Sequence, residues 1–179
     1  MIKKYFFLFF FSFFINYNLA IASNIATINL EYILKNNIQY NSFLNLLDDK
    51  KNILQNEISN YNQKIDELKK SIDDESIFLN EEEINNRINY YNSEYEKFQL
   101  LIQSHEIFLS KNIDLNKQLV LDQIIKITQK ISIDEKFDII FSESNYFMSN
   151  NLIDISENII KQLNNFDLKL KLYSKEEIF

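Results

Sequence analysis

The sequence predicts a mainly α-helical protein with a small β body. A long antiparallel coiled-coil hairpin projects from a short-stranded domain that assembles as an oligomer. Three observations predict it. Apolar residues recur at alternating steps of four and three through most of residues 38–133, the spacing of a coiled-coil seam rather than of strands. The 179 residues include no Gly and no Pro, so neither residue interrupts a helix. Short runs rich in β-branched and aromatic residues stand at the two ends.

The same composition excludes chemistry. Without Gly there is no P-loop or dinucleotide-binding turn, and without Cys no disulfide, thiolate nucleophile or Cys-ligated metal. The single histidine, His105, cannot build a His-rich metal site, and no catalytic constellation is visible. The protein is therefore expected not to be an enzyme and to need no cofactor or metal. Its abundant Ile (29) and Asn (25) have AT-rich codons, and no function is read from that surplus.

Residues 1–22 read as a signal peptide. Lys3 and Lys4 form a basic start, Tyr5 to Ile15 is an apolar run of 11 residues, and Ala20 and Ala22 set the cleavage site after Ala22. An uncleaved anchor is the competing reading, but a spanning helix needs about 20 apolar residues. Cleavage would shift the formal charge from −7 to −9 by removing two lysines. An acidic chain of this kind is a poor partner for nucleic acid, because phosphate contacts need clustered Lys and Arg. With no Cys in an exported chain, stability must come from packing and assembly.

Residues 38–119 form the predicted hairpin. The ascending seam is Tyr40, Leu44, Leu47, Lys51, Leu54, Ile58, Tyr61, Ile65, Leu68 and Ile72. The descending seam is Ile84, Ile88, Tyr91, Tyr95, Phe98, Ile102, His105 and Leu109. The two series mirror each other about Phe78, which places Tyr61 opposite Tyr95 and Lys51 opposite His105 as a polar layer. His105 thus reads as a seam residue, not a ligand. Unbroken helices of this kind would reach roughly 65 to 75 Å. Below Leu109 the seam meets Asn112 and Asn116, and Ile113, Val120, Ile124, Ile127 and Ile131 continue it one residue out of phase, toward another partner.

The turn carries Asp73, Asp74, Glu75, Glu81, Glu82 and Glu83 without any Lys or Arg. It lacks the alternating ligands and central Gly of an EF-hand, so it reads as a solvated tip with acids at a helix N-terminus. Ile77, Phe78 and Leu79 lie exposed among those acids.

The ends build the body. Ile25 to Leu30 and Phe137 to Phe141 read as strands, Ser142 to Asn145 as a turn, and Tyr146 to Met148 as a return strand. Asp154 is placed to cap a last helix whose apolar face is Ile155, Ile159, Ile160 and Leu163. The tail beyond Asn164 is charged and amphipathic, without an assigned place. Such a body buries too little surface to stand alone, and a homo-oligomer merging several copies resolves this. The organisation is then a signal peptide (1–22), a β-rich oligomerisation body (23–37 and 120–165), a helical hairpin (38–119) and a C-terminal extension (166–179).

Two stretches carry a family resemblance. Ile25-Ala-Thr-Ile-Asn-Leu30 matches an opening strand, and FDIIFSESNYFMSNN followed by DISENIIKQL matches closing strands, turn and helix in order and spacing. Over about residues 24–164 the chain resembles the Skp/OmpH family of periplasmic chaperones. That resemblance implies a jellyfish-like homotrimer whose hairpins enclose a cavity, holding unfolded outer-membrane proteins in the periplasm without ATP. Client-contact candidates are then the apolar residues off the seam, Phe43, Leu46, Tyr90, Leu101 and Phe108, with Ile77, Phe78 and Leu79 at the tip. Oligomer-body candidates are Ile28, Leu30, Val120, Ile124, Ile127, Ile139 and Phe141. The cationic tips of well-known members suit lipopolysaccharide, and the acidic tip here argues against that ligand. A structural coiled-coil protein of the envelope, a spacer or tether without client-holding activity, is the alternative reading.

Overall fold

The computed structural model describes residues 23–146, 148, 150 and 153–178. The signal-peptide reading of residues 1–22 lies outside the described residues. Elements run in the order β1 (Ile25–Ile28), α1 (Leu30–Asn36), α2 (Ile38–Glu75), α3 (Glu81–Glu135), β2 (Ile139–Ser142), α4 (Ser156–Leu163) and α5 (Lys175–Ile178).

Each of the first three helices starts on an asparagine. The Oδ1 atoms of Asn29 and Asn37 accept from the backbone N–H of Tyr32 and Tyr40, both at 2.7 Å. Asn80 accepts from Glu83 N–H at 2.9 Å, and the Glu83 carboxylate accepts in return from Asn80 N–H at 3.1 Å. These caps satisfy N–H groups that the first helical turn leaves without a carbonyl. They also show part of the asparagine surplus to have a structural use. Because Asn29 caps α1, the first strand stops at Ile28 and Leu30 is helical, a correction to the expected strand through Leu30.

The hairpin forms as its spacing predicts, with the reversal at residues 76–80 around Phe78. At 1.5 Å per residue, the 38 residues of α2 extend about 57 Å and the 55 of α3 about 82 Å. Helix α3 crosses the expected boundary at residue 119 without a break. Its overhang supplies Val120, Ile124, Ile127 and Ile131 to a core completed by Ile33, Phe43 and Leu47, by Ile159, Ile160 and Leu163 of α4, and by Leu168.

Pairing along the shaft differs from the mirror pattern in detail. The Tyr61 ring stacks on Phe98, centroids 5.6 Å apart, rather than meeting Tyr95. Lys51 is exposed, and the polar neighbour of buried His105 is Glu57. Further down α3 the buried positions are 108, 112, 116, 120 and 124. Each step of four residues turns about 40° past a full revolution, so four steps rotate the inward face by roughly 160°. The seam thereby leaves α2 and faces α4 and the C-terminal tail. This rotation buries Phe108 in place of Leu109, and Asn112 and Asn116 in place of Ile113.

β1 and β2 pair in parallel, Ile25 with Ile139 through Ile28 with Ser142, and the whole hairpin forms their crossover. On its other side Thr27 bridges to Asp154, and Ile155 N–H donates to Thr27 C=O at 3.0 Å. With Asp154 engaged there, α4 starts at Ser156, later than expected, and the Asp154 carboxylate accepts from Ser156 N–H at 2.8 Å. Residues 143–145 form a 3₁₀ turn at the expected place. Tyr146 and Met148 belong to no strand, which corrects the return-strand reading, and Phe147 lies outside the described residues. With no Gly available, Lys136 takes the left-handed conformation (φ 57°, ψ 43°) that ends α3.

Candidate functional site

Three surfaces can meet another molecule: the tip, the flanks of the hairpin and the outer face of the body. At the tip, Ile77 and Phe78 are 83% and 85% exposed, and Leu79 is half-buried. Glu81, Glu82 and Glu83 occupy the first turn of α3, where the helix dipole favours negative charge. Arg87 pairs with Glu75 at 2.6 Å across the reversal. Among the described residues, no three His, Cys, Asp or Glu side chains gather in a way that could hold a metal ion.

Along the flanks, Leu46 and Tyr90 are exposed and Leu101 is half-buried. Exposed Ile53 and Leu100 join them, residues not singled out from the sequence. Phe43 and Phe108 are corrections. Both are 2% exposed, Phe43 because α1 and α4 thicken the base around it and Phe108 because the seam has rotated onto it.

Two titratable groups are buried in the shaft. Buried Glu94 accepts from Lys64, from Lys97 at 2.6 Å and from the Tyr61 hydroxyl at 3.1 Å. The hydrogen bond from Lys64, with that from Lys97, holds its carboxyl down at about 2. His105 is 2% exposed and neither ring nitrogen has a hydrogen-bond partner; Glu57 Oε2 stands 3.4 Å from Nε2 without hydrogen-bond alignment. Burial pushes the imidazole below its ordinary value, and Lys175 and Lys50 push the same way against Glu57.

On the body, Ile28, Leu30 and Ile124 line an apolar cleft of about 380 Å³ with Leu121 and Ile125. Ile139 and Phe141 are exposed on β2, which pairs only with β1 among the described residues. Val120, Ile124 and Ile127 are buried in the chain's own core.

The tail was the element the sequence left without a place. It turns at residues 164–166 and runs up the hairpin base, left-handed at Lys169 (φ 55°) and held by amide side chains. Asn37 Nδ2 donates to Asn164 Oδ1 at 2.9 Å, and the Leu168 N–H donates to Gln39 Oε1 at 3.0 Å. Lys171 N–H donates to Asn116 Oδ1 at 3.0 Å, and Tyr173 N–H to Asn112 Oδ1 at 2.8 Å. The signal that could have placed it is the alternation Leu168, Leu170, Leu172 with Lys169 and Lys171, a period of two.

Residues 24–163 match the outer membrane protein (OmpH-like) family. The crystal structure of an OmpH-like protein from Caulobacter crescentus CB15, described as an outer membrane chaperone, superposes with a TM-score of 0.69. The two chains are 10% identical, and the match covers 80% of this one and 85% of the other. At that identity the likeness speaks for the fold. No curated protein matches the sequence.

Proposed function

Because this chain belongs to the OmpH-like outer membrane protein family, a family of chaperones, we propose that it is an ATP-independent periplasmic holdase. As a homotrimer it would keep unfolded outer-membrane proteins soluble in a cavity between its hairpins. One observation carries this reading beyond the family: large apolar side chains stand singly along a rigid hairpin. Leu46, Ile53, Tyr90 and Leu100 are exposed one by one along the two helices, and Ile77 and Phe78 repeat the pattern at the tip. Many shallow contacts of this kind restrain an unfolded chain while leaving each segment free to detach.

The trimer reading rests on the body. The cleft at Ile28, Leu30, Leu121 and Ile125, and separately Ile139 and Phe141 exposed on β2, are apolar surface that a second copy would cover. Export to the periplasm rests on the basic start and apolar run of residues 1–22. The acids at the tip disfavour anionic lipid, so apolar and hydrogen-bonding contacts carry client recognition.

The test is dilution of a urea-unfolded β-barrel protein into the purified chain, with mass measured by light scattering. A trimer that suppresses aggregation is the expected result. A trimer that leaves aggregation unchanged overturns the holdase reading and returns the spacer or tether.

A further inference from the structure

The way the tail is held identifies a second binding surface. Asn116 Oδ1 accepts from Lys171 N–H at 3.0 Å, and its Nδ2 donates to the Lys171 carbonyl at 2.9 Å. Asn112 treats Tyr173 in the same way, at 2.8 and 3.3 Å. Gln39 accepts from Leu168 N–H at 3.0 Å and donates to the Phe166 carbonyl. Every one of these contacts is to backbone. In an extended chain the N–H and C=O of one residue point the same way, so a side-chain amide can pair with both at once. Two asparagines four residues apart on a helix rise by about 6 Å, close to the roughly 6.6 Å between alternate residues of an extended chain. Asn112 and Asn116 are fully buried; each Nδ2 also donates to the carbonyl four residues back, at 3.0 and 2.8 Å, so it is the Oδ1 atoms that need a donor from whatever chain lies there.

We propose that Gln39, Asn112 and Asn116 form a binding site for an extended polypeptide backbone, occupied in cis by the tail and yielded to an extended segment of an unfolded client. Two observations select this occupant. The tail presents Leu168, Leu170 and Leu172 to the core and Lys169 and Lys171 to solvent, and beyond the left-handed Lys169 (φ 55°) this is the period-two pattern that also marks strands of membrane β-barrels. It also lies past residue 163, where the family match ends. Only Leu168 among the three leucines is fully buried, and the lysines stay in water. A tethered segment competes at an effective concentration of about millimolar, which a client confined in the same assembly can match.

The site deepens the holdase reading and rests on it for its client, so the experiment separates the two. Amide hydrogen exchange is followed in the full chain, alone, with urea-unfolded β-barrel protein, and with an excess of a peptide of residues 167–173; aggregation is read in parallel. Binding of either probe is expected to speed exchange at Lys171 and Tyr173 at least tenfold while Val120 and Ile124 stay protected. Suppressed aggregation with unchanged exchange at Lys171 and Tyr173 in both arms overturns the site and makes the tail a permanent strap. If aggregation is not suppressed, the holdase reading fails, and the peptide arm alone decides whether the site exists. The variant N112A/N116A should release the tail without any probe, and Q39A, at a half-exposed position, provides the same readout if the double variant does not fold.

Discussion

The lower and upper halves of the hairpin use the same two helices and differ in what surrounds them. At the base, α1, α4 and the tail clad α2 and α3, and Ile33, Val120, Ile159 and Leu163 are completely buried. Beyond the end of the tail, the described residues of the two helices pack chiefly on each other. Ile58, Tyr61, Leu68 and Ile72 stay half-buried, and Ile88 and Tyr95 are exposed although they sit on the predicted seam. Two helices enclose their seam only at some layers, where Leu54, Ile65 and Phe98 are buried, and leave the layers between partly open. The base is thus the stable unit and the shaft a projection with cheaper local openings.

The largest test of that contrast is a matched pair of truncations. Ile124→Ala in the base should cost about 2–5 kcal/mol in guanidinium unfolding, whereas Ile88→Ala in the shaft should cost less than about 1 kcal/mol. Equal losses would mean the shaft is enclosed, as by neighbouring hairpins. Next comes Asn37, fully buried between α1 and α2, which caps α2 and donates to Asn164. Asn37→Ala should cost about 1–2 kcal/mol and loosen the start of the tail by hydrogen exchange.

Acid should act on the shaft before the base, because both shifted buried groups lie there. The fold favours neutral His105, so the unfolded chain binds the additional proton. Stability holds above the ordinary imidazole value of 6.5 and declines as pH falls below it. Glu94 adds a second loss as pH falls from 4.5 toward about 2, because the fold favours its charged form. Amide exchange near residues 57 and 105 at pH 7 and pH 5 checks the first step, and His105→Phe should remove it. Lys136→Gly should stabilise the base by about 0.5–1 kcal/mol, since Gly adopts φ near 57° without the clash of a Cβ. Smallest of all is Phe78→Ser at the exposed tip, within about 0.5 kcal/mol in stability, while aggregation suppression should weaken.

The same contrast explains what could be read from the sequence. Heptad spacing located the hairpin and its reversal at Phe78, because those depend on neighbours three and four residues apart. It missed the burial of Phe43 and Phe108, which depends on α1, on α4 and on a seam that rotates beneath them. In the sequence Asn112 and Asn116 mark only the point where the apolar stripe shifts phase, yet in the fold their side chains pair with the backbone of residues more than fifty positions away. Period-two alternation in the tail was visible, but with no strand beside it the partner was a set of amide side chains, which no propensity scale describes. Of the client-contact candidates, Tyr90, Ile77 and Phe78 remain exposed above the cladding, and Leu46 remains exposed within the base.

The line of amides has a mechanical side. The tail leaves α4 at the base and runs toward the tip, passing Gln39, then Asn116, then Asn112. A pull on its far end toward the tip would load all three clamps together, in shear. A pull back toward the base would undo Asn112 first, then Asn116, then Gln39, one clamp at a time, like a zipper. The attachment is therefore strong along one direction and weak along the other.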